Sequence, residues 1–162
     1  MCGGYARLLE RRARQWLEAL ERLREASRRL RARLGRLTLI LYGSYARGDF
    51  NLWSDIDIII VSDAFHGIRP LDRYDIVAPA LEPGMEPITL TSGEAGEVLR
   101  RPGWRAALRD AVIVVDDYGL KTLIEEVSGV RPRRLEDLVE RLRRLPRGVG
   151  REGVAGKGSG EG

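Results

Sequence analysis

The apolar positions follow two different periods along the chain. Over residues 5–36, apolar or small side chains recur in alternating steps of three and four, at Ala13, Trp16, Leu20, Leu23, Ser27, Leu30, Leu34 and Leu37. That spacing lines one face of a helix. Glu10–Arg14, Glu18–Arg22 and Glu25–Arg29 stand four residues apart in the favourable order, which supports a helix locally. The pattern predicts one long amphipathic helix packed on a sheet, its arginines in solvent, with Gly35 at its end. The spacing is also close to 3.5, so a helix-on-helix contact with a second subunit is an alternative. A nucleic-acid-binding helix is a third.

From Leu37 the pattern turns to short β-rich runs. Leu37–Tyr42 is apolar on both faces, as an interior strand is. Gly43–Asp49 then reads as a turn with a short helix, Phe50–Ser54 as a loop, and Ile56–Val61 as a second strand. A helix is expected over Leu71–Leu81, with Pro79 near its end, and a third strand over Met85–Leu90. Thr91-Ser92-Gly93-Glu94 has the form of a capping box, opening a helix that reaches Leu99. Trp104–Asp110 reads as a short helix and Ala111–Val115 as a fourth strand, followed by Asp116 and Asp117 as a polar turn or N-cap. Two helices, Leu120–Val127 and Leu135–Leu145, are split by Gly129 and Pro132. From Pro146 the chain is Gly-rich and has no core residues, the composition of a flexible tail. The fold class is thus α/β (α+β): a small mixed sheet of about four strands with helices packed on it. Its parts are an N-terminal amphipathic helix (1–36), a core (37–117), C-terminal helices (118–145) and a tail (146–162).

Length and composition narrow the class. The 162 residues suit one domain with extensions. No apolar run approaches the ~20 residues of a membrane span, and the first residues carry no apolar signal core; the expectation is a soluble cytoplasmic protein. The single Cys2 excludes an intramolecular disulfide and a cysteine zinc cluster. The net charge of +4 is unevenly spread. Residues 1–36 hold eleven Arg against four Glu, residues 37–130 eight basic against fifteen acidic side chains, and residues 131–162 nine against five. The acidic core argues against a nucleic-acid surface there and suits a site that holds cations.

The chemistry concentrates between Leu37 and Val61, LTLILYGSYARGDFNLWSDIDIIIV. Asp55 and Asp57 stand at i, i+2 where a strand begins, so both project to one face while Ile56, Ile58 and Ile60 project to the other. Two neighbouring carboxylates repel, and beside a buried strand they are costly to desolvate. A hard divalent cation such as Mg²⁺ relieves both and commonly shares substrate phosphates. Gly43 and Ser44 end the preceding strand and open a helical turn, offering backbone N–H groups and a hydroxyl to an anion. Together these features point to phosphoryl chemistry on a nucleotide.

Gly43-Ser44-x-Ala46-Arg47-Gly48 followed by Ser54-Asp55-Ile56-Asp57-Ile58 resembles the signature of the polymerase-β-like nucleotidyltransferase superfamily, and most of all its minimal prokaryotic branch. The resemblance implies a small mixed sheet with helices on one side, and Mg²⁺-dependent transfer of a nucleoside monophosphate, AMP, from ATP or another NTP to an acceptor, releasing pyrophosphate. It implies two Mg²⁺ ions on Asp55, Asp57 and a third carboxylate. Glu86, in the extended segment before the capping box, is the first choice for that third acid, with Asp75 its rival. Gly43 would allow close backbone approach and Ser44 would meet a phosphate oxygen. Arg47 would reach the triphosphate or pair with Asp49, which shapes the loop. The resemblance also implies a helical partner of the HEPN type in toxin–antitoxin systems, the partner being the acceptor; a homo-oligomer is a further option. A non-catalytic NTP- or partner-binding module on the same fold, and nucleic-acid binding by the first helix, remain the alternatives. Trp53 reads as packing, with base stacking the rival; His66 reads as a surface residue.

Overall fold

The computed structural model describes residues 2–146; the Gly-rich segment beyond Pro146 lies outside the described residues. The first helix, α1, runs Cys2–Leu34 and ends where the Gly35 N–H bonds the Arg31 carbonyl at 2.9 Å. Its second half carries the predicted stripe: Leu20, Leu23 and Leu30 are buried, and Ala26 beside them. Ser27 is buried with them and donates its hydroxyl to the Arg24 carbonyl at 2.6 Å, a back-bond that satisfies it inside the stripe.

The arginines of α1 are mostly exposed, as expected, but several bond neighbouring elements. Arg22 pairs with Glu82, Arg24 with Glu136 and Arg31 with Asp117, while Arg29 and Arg33 donate to the carbonyls of Ala80 and Ile76. Arg22 and Arg29 thus reach partners outside the helix in place of the intrahelical pairs the sequence suggested. Each exposed pair contributes less than about 1 kcal/mol; burial does more. Leu23→Ala is expected to cost about 2–5 kcal/mol, against less than about 1 kcal/mol for Arg22→Ala. Paired denaturant titrations measure both, and similar losses would contradict a helix held by its apolar stripe.

The sheet has the order β3-β2-β1-β4-β5. Its strands are β1 (Thr38–Tyr42), β2 (Ile56–Val61), β3 (Met85–Leu90), β4 (Val112–Asp116) and β5 (Arg133–Arg134). β1 lies at the centre, antiparallel to β2 and to β4, while β3 and β5 add in parallel at the two edges. The central place of β1 agrees with its apolar residues on both faces. The fifth strand adds to the four expected; two residues are too few to show a period. Pro87, which can donate no ladder hydrogen bond, sits on the edge strand β3.

Among the described residues six short α-helices follow: α2 (Ser44–Arg47), α3 (Pro70–Val77), α4 (Ser92–Val98), α5 (Trp104–Ala107), α6 (Lys121–Ser128) and α7 (Leu135–Arg143). The Thr91–Glu94 capping box forms in full at the start of α4. The helix expected to reach Leu81 stops at Val77 and continues as a 3-10 turn, Ala78–Ala80, because Pro79 has no N–H for an α-helical ladder. The helix expected over Trp104–Asp110 likewise tightens to a 3-10 turn from Leu108.

Helices cover both faces of the sheet, not one. Leu39, Leu41, Ile56, Ile58 and Ile60 pack with α1, α2, α7 and Val77 of α3. Ile40, Ile59, Val61 and Ile113 pack with Ala95 and Leu99, and with Ile124 of α6. Asp116 belongs to β4 rather than following it. Its carboxylate accepts from Thr38 Oγ1 and from the N–H groups of Leu120 and Lys121, so it closes the strand and opens α6. Asp117 accepts from the Leu37 N–H and from Arg31. Both acids serve the fold.

Candidate functional site

Strand register builds the site. In the antiparallel pair Tyr42 lies opposite Asp57, and in the parallel pair Asp57 lies beside Glu86. Neighbours in register point to the same side of a sheet, so Tyr42, Asp57 and Glu86 form one row across three strands. Asp55 projects toward that side from just before β2. Tyr42 and Asp57 are half-buried, Asp55 and Glu86 exposed. Asp75, the rival third acid, is exposed on α3, whose Val77 packs on the opposite face of the sheet. The structure therefore brings Glu86, and not Asp75, beside Asp57.

The row is electrostatically uncompensated. Partial burial, then the charges of Asp55 and Glu86, push the Asp57 carboxyl above its ordinary range, and Arg47 only partly offsets them. Burial, Asp57 and Glu86 push the Tyr42 hydroxyl up to about 12. Tyr42 was not singled out from the sequence, although alternation from buried Ile40 carries a signal for it: it continues the same face to the row's end. Its ring is fixed edge-on against Trp104, with centroids 5.3 Å apart. Among the described residues, no three Asp, Glu, His or Cys side chains already converge as a finished metal cluster.

Gly43 meets this row directly. Its φ of 74° and ψ of −156° lie in a region open essentially to glycine alone. A Cβ there would stand 2.4 Å from Asp57 Oδ2, so the backbone approaches the carboxylate where no other residue fits. α2 follows at once, and its first N–H groups, at Ser44 and Tyr45, have no acceptor within a single helical turn. Arg47 Nε bonds both oxygens of Asp49, at 3.2 and 3.1 Å, while its charge still acts on Asp57; the ion pair and the proximity to the site hold together.

The loop after α2 corrects the reading of Trp53. Its ring is 90% exposed and neighbouring Leu52 89%, so neither packs on the body. The packing aromatic is Phe50, stacked on Tyr45 with centroids 4.4 Å apart. The Asn51 side chain accepts from the Trp53 N–H at 2.9 Å, and Ser54 Oγ accepts from the Asn51 N–H at 2.9 Å, which folds the tip on itself just before Asp55. His66 is exposed, as expected. No described helix is long and apolar enough to cross a membrane.

The chain is similar to a crystallised protein from Sulfolobus solfataricus described as a candidate nucleotidyltransferase, with 26% identity, a TM-score of 0.46, and an alignment over 53% of this chain and 79% of that one. No curated protein gives a significant match. The sequence model described as "Nucleotidyltransferase domain" matches residues 22–143, three quarters of the chain. That span takes in the Gly43 turn, both aspartates and Glu86. The match and the row of acids beside a glycine-only turn agree, and the chain belongs to the nucleotidyltransferase domain family.

Proposed function

We propose that this chain catalyses Mg²⁺-dependent transfer of a nucleoside monophosphate, AMP in the first instance, from an NTP to an acceptor hydroxyl. The observation that carries the reading is the register Tyr42–Asp57–Glu86 with Gly43 set against Asp57. These residues suit the metal: they are hard carboxylate oxygens, they repel one another without a cation, and the missing Cβ of Gly43 lets the turn's backbone lie directly against the Asp57 carboxylate. Asp55, Asp57 and Glu86 would hold the Mg²⁺, which supplies charge neutralisation at the attacking and leaving oxygens of an in-line displacement.

The protein's own part is positioning. Ser44 and the first N–H groups of α2 receive phosphate oxygens, and Arg47 adds positive charge beside them. A bond forms between the acceptor oxygen and the α-phosphorus as the bond from that phosphorus to the bridging oxygen breaks, and pyrophosphate departs. Glu86 stands exposed at the open end of the row, where its carboxylate takes the acceptor proton. The acceptor arrives on a separate molecule, and a helical partner of the HEPN type is the first to assay.

Incubation with α-labelled ATP, Mg²⁺ and candidate acceptors tests the reading. Labelled acceptor and equimolar pyrophosphate are expected. Glu86→Gln should lower the rate by about a hundredfold or more, an order typical of proton-transfer and charge contributions, while Asp75→Asn should leave it near wild type. The reverse ranking would move the third carboxylate to α3. ATP binding without turnover on any acceptor would leave a binding module instead.

A further inference from the structure

The turn that carries Gly43 and Ser44 is held from outside the motif. α2 is one turn long, so its carbonyl groups find almost no acceptor role inside the helix. Donors from distant parts of the chain meet them one after another. Trp16 Nε1 donates to the Tyr45 carbonyl at 2.6 Å. Arg133 donates to the Ala46 carbonyl at 2.6 Å and to the Asp110 carbonyl at 2.8 Å. Arg12 donates to the Gly48 carbonyl at 3.2 Å and, through the same guanidinium, to the Phe50 carbonyl at 2.5 Å. Four carbonyls within residues 45–50 are thus fixed by three side chains.

The packing follows the hydrogen bonds. The Trp16 ring lies on Gly48, where an added Cβ would stand 2.7 Å from the indole, and Gly48 has a φ of 87°. Trp16 and Arg12 also both face the Phe50 ring. Trp16 and Arg12 come from α1 and lie ahead of residues 22–143, the span shared with the family model. Arg133 comes from β5, at the far edge of the sheet, half-buried.

We propose that Arg12, Trp16 and Arg133 are positioning residues that set α2, and with it Ser44 and Arg47, against Asp55 and Asp57. The inference rests on the transferase reading only for its activity readout; it also makes a claim about NTP binding. Planar guanidinium groups suit the task, because one group can hold two carbonyls in fixed geometry. A phosphate-binding turn displaced by about 1 Å can lose around a hundredfold in rate, so the clamp acts on the reaction without touching substrate.

The test compares Arg12→Ala, Trp16→Phe and Arg133→Lys with Arg7→Ala, a control on the same helix whose guanidinium bonds the local Gly3 carbonyl. Trp16→Phe keeps a ring over Gly48 and removes the donor. Thermal melts, kcat and KM for pyrophosphate release, and the Kd for Mg·ATP by calorimetry are measured on the full chain. Arg12→Ala and Trp16→Phe should melt within a few degrees of wild type, lose about tenfold in kcat/KM and bind Mg·ATP several-fold more weakly, while Arg7→Ala matches wild type. Arg12→Lys, which keeps one donor, should recover part of the loss. Lower melting temperatures with unchanged kinetics and Kd would show a merely structural role and overturn the clamp. If the wild type binds Mg·ATP but transfers to no acceptor, the transferase reading fails while the Kd series still decides the clamp.

Discussion

Asp57→Asn is expected to lower nucleotidyl transfer by a thousandfold or more, about 4 kcal/mol of transition-state stabilisation, while leaving the fold intact. Asp57 is the centre of the row, registered with Tyr42 on one side and Glu86 on the other. Asn keeps the shape and one oxygen but removes the charge that binds a cation. The same substitution removes a repulsion. Burial and the charges of Asp55 and Glu86 raise the Asp57 carboxyl, so the folded protein favours its protonated form. That contribution to stability is present below the unfolded pKa and is lost as pH rises through the folded value. In a chelator, wild type should therefore lose stability relative to Asp57→Asn across the acid range just above the ordinary carboxylate pKa, and the gap should stay level at higher pH. Mg²⁺ should stabilise wild type more than the variant. Denaturant titrations from pH 4 to 8, with and without Mg²⁺, read both effects; a variant less stable than wild type in chelator would show that Asp57 is compensated after all.

The second large effect is expected at Gly43. An Ala side chain there meets two obstacles. The backbone, at φ 74° and ψ −156°, costs of order 1–3 kcal/mol for a residue with a Cβ. The Cβ would also stand 2.4 Å from Asp57 Oδ2 and 3.2 Å from its Cγ, so the carboxylate must turn away or the strands must part. Stability should fall by about 1–3 kcal/mol and transfer by about a hundredfold. Gly84→Ala is the comparison: it shares a positive φ of 87° but has open space at its Cβ. It should cost stability alone. Equal activity losses at the two glycines would mean that backbone strain, not contact with Asp57, governs the result.

Much of this was open to reading along the chain. The stripe from Trp16 to Leu34, the capping box at Thr91 and the strand over Ile56–Val61 are local patterns, each set by one period and its punctuation. The glycine turn and the two aspartates are local as well, because i and i+2 on a strand share a face whatever the strand pairs with. Other features escaped for want of a local cause. β5 is too short for a period. Helices fill both faces because Ile40, Ile59 and Val61 also need cover, which alternation shows without saying what supplies it. Trp53 reads as packing by type, yet the loop closes on Phe50 and leaves it in water.

By itself, then, the sequence determined most of the elements, the Gly43–Ser44 turn and the Asp55–Asp57 pair, since all of these follow from neighbours a few residues apart. Only the tertiary structure set Glu86 rather than Asp75 beside Asp57, placed Tyr42 in the row, and brought Arg12, Trp16 and Arg133 to the carbonyls of residues 45–50. The Glu86 choice rests on the parallel register of β2 and β3, with partners 29 residues apart. The donors to α2 bridge 29 to 87 residues. Distances of that kind are set by which faces bury against each other, and no short stretch of chain encodes them.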